Sequence, residues 1–147
     1  MMNKFIVLLL SLFSFSLYAS NVPYFVSIKS NKVNMRTGPG FHYHVKWIYI
    51  CKNFPLKVIE EFESWKKVCD MDEDYGWIKG NLLNSKRYAV IKEDTFGYKK
   101  QSIDSKFSMK IDKSVIMRIE KCSKRLCFLS ASKCKALVQK KFIWGVD

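Results

Sequence analysis

Beyond its first twenty residues the chain breaks into short β-like runs parted by turn residues, and that spacing constrains the fold more than any other feature. The runs lie at 24–28, 32–35, 46–49, 56–61, 65–69 and 75–78. They are four to six residues long and recur about every eight to twelve positions, and no apolar stretch keeps helical spacing over the length of a helix. Strand side chains alternate between faces, so in "WKKVCD" Trp65 and Lys67 share one face while Lys66 and Val68 share the other, with Val68 the core member. Runs this short bury one face by curling into a small barrel or sandwich, which predicts an all-β protein. Asp70, Asp72, Glu73 and Asp74 read as a solvated hairpin turn, because the stretch lacks the glycine and terminal glutamate of a calcium loop.

The stretch Arg36-Thr37-Gly38-Pro39-Gly40 is a rigid reversal: Pro39 fixes its own φ, Gly38 accepts the extended conformation that precedes proline, and Gly40 is free to take a positive φ. Arg36 stands where it can cap carbonyls of that turn or reach across the barrel. A phosphate cradle would need a lysine followed by serine or threonine and the start of a helix, and neither follows. The second half repeats the first weakly. Glu60 to Leu83 can be laid on Arg118 to Ile143, matching Trp65 with Leu126, Val68 with Leu129, and Gly76-Trp77-Ile78 with Ala136-Leu137-Val138. The expected organisation is therefore two barrels in tandem, at 21–84 and 85–147, the second having lost the Gly-Pro-Gly turn and the Gly-Trp pair. The link at 85–92 holds neither Pro nor Gly, so the lobes are expected to pack together rather than swing.

Residues 1–20 carry Lys4, an apolar run from Phe5 to Phe15, then serines and Ala19-Ser20. They read as a secretory signal peptide; a membrane anchor is the other reading, but the run is shorter than the ~20 apolar residues that span a bilayer. Without that leader, 25 basic residues face 13 acidic ones, and residues 85–147 alone hold sixteen against six, or +10. A basic surface points to an anionic partner. For an exported protein, bound for the periplasm or the cell envelope, that means wall polymer or lipid head groups rather than nucleic acid. Of the five cysteines, Cys122 and Cys127 flank four residues, a spacing that can place them opposite one another across a tight hairpin, so we expect a disulfide there, against the alternative of two reduced core cysteines, and at least one free thiol elsewhere. The alternative of a zinc site finds no paired-cysteine spacing, and His42 and His44 lie in the other half. No cofactor motif is present and no metal is expected.

The elements Asn34, Arg36, Gly38-Pro39-Gly40, Pro55, Val58, Trp65, Val68 and Gly76-Trp77-Ile78, taken together, resemble the bacterial SH3-like domain family of exported proteins over about 25–84. The hairpin of Cys122 and Cys127 followed by Trp144-Gly145-Val146 is similar to that family's tandem arrangement. The resemblance implies a half-open β-barrel per lobe and a non-catalytic binding role at the envelope, on peptidoglycan peptides or as a protein–protein adaptor. Such domains often accompany papain-like peptidases, but both histidines lie seven or more residues from the nearest cysteine and no further domain exists for a cleft, so no enzyme is expected. From family position Val58, Val68 and Ile78 belong to the core. Arg36, Tyr43, Trp47 and Trp65 are the candidate ligand-binding residues, their flat rings grouped beside the Gly-Pro-Gly loop for stacking. The competing reading is that Trp47 and Trp65 only close the barrel.

Overall fold

The computed structural model describes residues 21–98 and 107–147; the expected leader lies outside them. The first sheet is built from β1 (Tyr24–Ile28), β2 (Val33–Arg36), β3 (Val45–Tyr49), β4 (Pro55–Phe62), β5 (Trp65–Cys69), β6 (Tyr75–Lys79) and, after a 3-10 turn at Gly80–Leu82, β7 (Leu83–Asn84). The second holds β8 (Tyr88–Ile91), β9 (Thr95–Tyr98), β10 (Phe107–Ile111), β11 (Ile116–Cys122), β12 (Leu126–Ala131), β13 (Cys134–Gln139) and, after a second 3-10 turn at Lys140–Phe142, β14 (Ile143–Trp144). Their strand orders are β3-β2-β6-β5-β4-β1-β7 and β10-β9-β13-β12-β11-β8-β14, which are the same order seven strands on. The protein is all-β, as expected, with two SH3-like half-open barrels.

Alternation places the cores. Val26, Ile28, Val33, Met35, Leu56, Val58, Val68, Ile78 and Leu83 fill the first barrel, including the three positions assigned to it from the sequence. Ala89, Ile91, Ile111, Met117, Cys127, Leu129, Ala136, Val138 and Ile143 fill the second. Strand register corresponds between the two sheets. Val68 faces Gly76 as Leu129 faces Ala136, and Arg36 faces Trp77 as Tyr98 faces Leu137. One crossing is solved in opposite ways. A Cβ on Gly76 would lie 2.6 Å from the Arg36 carbonyl oxygen and 2.8 Å from the Met35 side chain, while in the second barrel the glycine moves to the partner strand, where a Cβ on Gly97 would lie 2.5 Å from Ala136. Close packing excludes a side chain from one strand at that point, and the two copies place the glycine on different strands.

One local expectation is corrected. Asp70, read as solvated, is only 8% exposed. Its Oδ1 accepts from the backbone N–H of Asp72 and of Asp74, both at 3.0 Å, and its Oδ2 accepts from the Tyr49 hydroxyl at 2.8 Å. The carboxylate organises the β5–β6 turn from inside, which a run of four acids did not disclose. Gly40, free to take a positive φ, does not use that freedom; among the described glycines only Gly145 has one, at +114°. The glycines of the reversal are needed for space: a Cβ on Gly38 would sit 2.5 Å from the Tyr43 ring and one on Gly40 2.7 Å from His42.

The barrels touch. Phe25 of β1 meets Trp144 of β14 edge to face at 5.4 Å, and the Arg87 guanidinium lies over Phe25 while donating to the Gly145 carbonyl at 2.9 Å. Gly145 fits here as only glycine can. Beyond its positive φ, a Cβ would come within 2.3 Å of the Tyr88 carbonyl oxygen and 3.1 Å of Pro55. The hairpin of β11 and β12 pairs Cys122 with Cys127 in a disulfide, as the spacing predicts, and leaves Cys51, Cys69 and Cys134 as free thiols.

Candidate functional site

The outer face of the first sheet is where aromatic and cationic residues converge. Register sets them side by side: Trp65 opposite Lys79, Lys67 opposite Trp77, and Trp77 opposite Arg36. Arg36 leaves the end of β2 and its Nη1 donates to the carbonyls of Phe41 at 3.1 Å and Tyr43 at 2.8 Å, so one guanidinium holds the loop that the Gly-Pro-Gly reversal begins. Thr37 N–H donates to the His44 carbonyl at 3.0 Å and closes the loop base. Held this way, the loop lays Phe41 across Trp65, ring centroids 5.0 Å apart at 71°. The Lys79 ammonium stands 5.4 Å from both ring centroids, and Arg36 lies 5.6 Å from Phe41. Contacts of this geometry are attractive through the ring quadrupole.

Beneath these groups is a hollow of about 220 Å³ lined by Lys32, Asn34, Arg36, Phe41, Trp65, Lys79 and Leu82. It presents three cations, two rings and no acid. Among the described residues the neighbouring lysines are neutralised, Lys46 by Asp74 at 3.5 Å, Lys67 by Glu60 at 3.1 Å and Lys66 by Glu61, whereas no ion pair involves Lys32 or Lys79. The Asn34 Oδ1 is buried in the floor with no hydrogen-bond partner. An orphaned acceptor is a standing cost that an occupant bearing an N–H would relieve. A second hollow, about 320 Å³, continues the face through Thr37, Lys46, Lys67, Tyr75, Gly76 and Trp77.

Of the four residues chosen from the sequence, the structure brings Arg36 and Trp65 together. Trp65 is 5% exposed because Phe41 and Lys79 cover it, so its ring forms the wall and Phe41, 67% exposed, is the ring a ligand meets. Tyr43 lies against His42, ring centroids 4.2 Å apart, and is absent from the lining. Trp47 is also absent from it; half exposed on the edge strand β3, it faces Met35 in register. The sequence reading missed Lys32, Asn34, Lys79 and Leu82. The register of β5 on β6 would have found Lys79, since a hairpin that pairs Val68 with Gly76 also pairs Trp65 with Lys79. Among the described residues, no cluster of three or more His, Cys, Asp or Glu side chains is placed to hold a metal.

Residues 29–84 match the family model of the bacterial SH3 domain. The first barrel is a bacterial SH3 domain. No curated protein matches the chain. Solved structures similar to it include two from one organism. NlpC1 of Trichomonas vaginalis has a TM-score of 0.39 at 8% identity over 85% of this chain and 46% of its own. NlpC2 of the same organism has 0.38 at 9% over 86% and 49%. The chain thus spans about half the length of each. In the second barrel the corresponding register positions carry different chemistry: Tyr98 stands at the position of Arg36, Leu126 at that of Trp65 and Gln139 at that of Lys79. Together the family match and the site describe a binding module.

Proposed function

We propose that the protein is a non-catalytic binding module of the cell envelope, exported by its leader, whose SH3 domain takes an acidic peptide, with the stem peptides of peptidoglycan as the favoured ligand. The observation that carries this reading is the hollow of Lys32, Arg36 and Lys79 beside Phe41 and Trp65, a cationic pocket with aromatic walls and no acid in its lining. Its unneutralised cations suit a carboxylate, its rings suit the apolar part of a peptide, and the orphaned Asn34 Oδ1 suits a backbone or amino N–H. The adaptor reading has its own support: β3 is an edge strand with Trp47 and Ile48, and Ile50 just past its end, at least half exposed, a surface suited to strand addition by a protein partner.

Co-sedimentation with purified sacculi tests the choice. Phe41→Ala and Lys79→Ala, changes at the rim rather than in the core, are expected to lower binding several-fold while the melting temperature stays put. Binding that persists near 1 M salt, where the Debye length falls to ~3 Å, is the signature of the pocket rather than of net charge. If both variants bind sacculi like wild type and Trp47→Ala abolishes capture of an envelope protein, the adaptor reading replaces this one.

A further inference from the structure

We propose that the second barrel carries a separate site for a linear polyanion, a surface that goes beyond the peptide pocket and does not depend on it. The site is a hollow of about 430 Å³ lined by Lys124, Arg125, Leu126, Gln139, Lys140 and Lys141. It occupies the corner of the fold that Trp65 and Lys79 occupy in the SH3 domain: Gly80 N–H donates to the Ser64 carbonyl there, as Lys140 N–H donates to the Arg125 carbonyl here. The copy has exchanged a tryptophan and a lysine for leucine and glutamine, and has set four cations around them. None of the four pairs with a side-chain carboxylate among the described residues, whereas the surface lysines Lys46, Lys66, Lys67 and Lys110 each do. Four like charges held around one hollow repel each other, and a bound polyanion relieves that repulsion while releasing its own counterions.

The track continues. Lys140, whose Nζ donates to the Asp147 backbone oxygen at 2.9 Å, also borders a neighbouring hollow with Arg87 and Lys121, where Glu120 and Asp147 temper the charge. A flat anionic membrane fits less well. Leu126 and Phe142 are half-buried, the latter beneath the Lys141 ammonium at 4.7 Å, so no exposed apolar side chain here can enter a bilayer. A polymer lying along the track engages several cations in succession.

The probe is end-labelled inorganic polyphosphate, read by fluorescence anisotropy with the purified full chain over a salt series. Lys124→Gln/Arg125→Gln/Lys141→Gln is expected to weaken binding ~10-fold or more and to flatten the slope of log affinity against log salt by roughly 2 to 3. Lys113→Gln/Lys133→Gln/Lys135→Gln removes the same charge from exposed positions elsewhere and is expected to cost only ~2-fold. Equal losses in the two variants would reduce the site to net charge and overturn the proposal. So would a Lys124/Arg125/Lys141 variant that loses binding to vesicles of anionic phospholipid while its polyphosphate binding stays intact. Acetylation of wild-type lysines supplies a readout independent of variant folding: polyphosphate should protect Lys124, Lys140 and Lys141 more than Lys113 and Lys133, and uniform protection overturns the site. Phe41→Ala leaves this binding unchanged, so failure here and failure of the peptide pocket are separately visible.

Discussion

At Tyr49 one hydroxyl ties the edge strand β3 to the β5–β6 turn. It donates to Asp70, which in turn holds two backbone N–H groups. Burial first, and then the hydrogen bond to the Asp70 carboxylate, raise the Tyr49 hydroxyl well above the ordinary phenol range. A group with a raised folded pKa lends stability that is fully present below its unfolded value and fades as pH climbs toward the folded one. The wild type is therefore expected to lose stability above about pH 10, where the unfolded phenol ionises, and Tyr49→Phe to lose less over the same window. At neutral pH that variant should be less stable by ~1 to 3 kcal/mol, since it strips a buried carboxylate of a donor. Denaturant melts at pH 7 and pH 11 decide it, and parallel losses in the two proteins would remove Tyr49 from the explanation. None of this was legible in "CDMDEDYGW", where four neighbouring acids look alike and only the fold selects which one turns inward.

Among elements, the β2–β6 crossing and the β11–β12 hairpin show what the sequence could and could not disclose. Strand positions and the core valines were readable because alternation over five residues has one buried solution, and the repeat was readable because register preserves it. The exchange of Met35 and Gly76 for Gly97 and Ala136 was not readable, because it involves residues far apart in the chain that meet only when the sheets form. Gly76→Ala is expected to destabilise the first barrel by ~1 to 3 kcal/mol through overpacking, against the Arg36 carbonyl oxygen 2.6 Å from the new Cβ as well as against Met35, so that Met35→Ala relieves only the side-chain share of the loss. A double-mutant cycle with no coupling would sink this account. At the hairpin, joint replacement of Cys122 and Cys127 by serine should cost about 2 kcal/mol for so short a loop. Alkylation of the unreduced native protein should label Cys51 and spare both bridge cysteines, and labelling at either bridge position would contradict the pairing. The pocket was half legible for a related reason. Arg36 and Trp65 stood out by type, whereas Lys79 and Asn34 acquire their place only from strand pairing.

On the scale of the whole molecule, two barrels with the same strand order have diverged in chemistry, one keeping rings and balanced charge, the other collecting cations. Their contact is small but specific: Phe25 against Trp144, Arg87 bridging Phe25 to the Gly145 carbonyl, and Gly145 packed where any side chain would strike Tyr88 or Pro55. Only 85–87 separate β7 from β8, and the Ser27 hydroxyl donates to the Lys86 carbonyl at 2.8 Å, so the linker is tied down as well. This arrangement should make the barrels unfold together, and the distribution of tryptophans gives a way to see it. Trp47, Trp65 and Trp77 all belong to the first barrel, and Trp144 alone to the second. In Trp144→Ala, fluorescence therefore reports the first barrel only, while far-ultraviolet circular dichroism still reports both. Wild type is expected to melt at one midpoint by both signals. The variant, lacking an aromatic contact worth ~0.5 to 1.5 kcal/mol beyond its buried area, should show the two midpoints drawing apart. If they stay coincident in Trp144→Ala and also in Arg87→Ala, the barrels are coupled through the tethered linker rather than through this face.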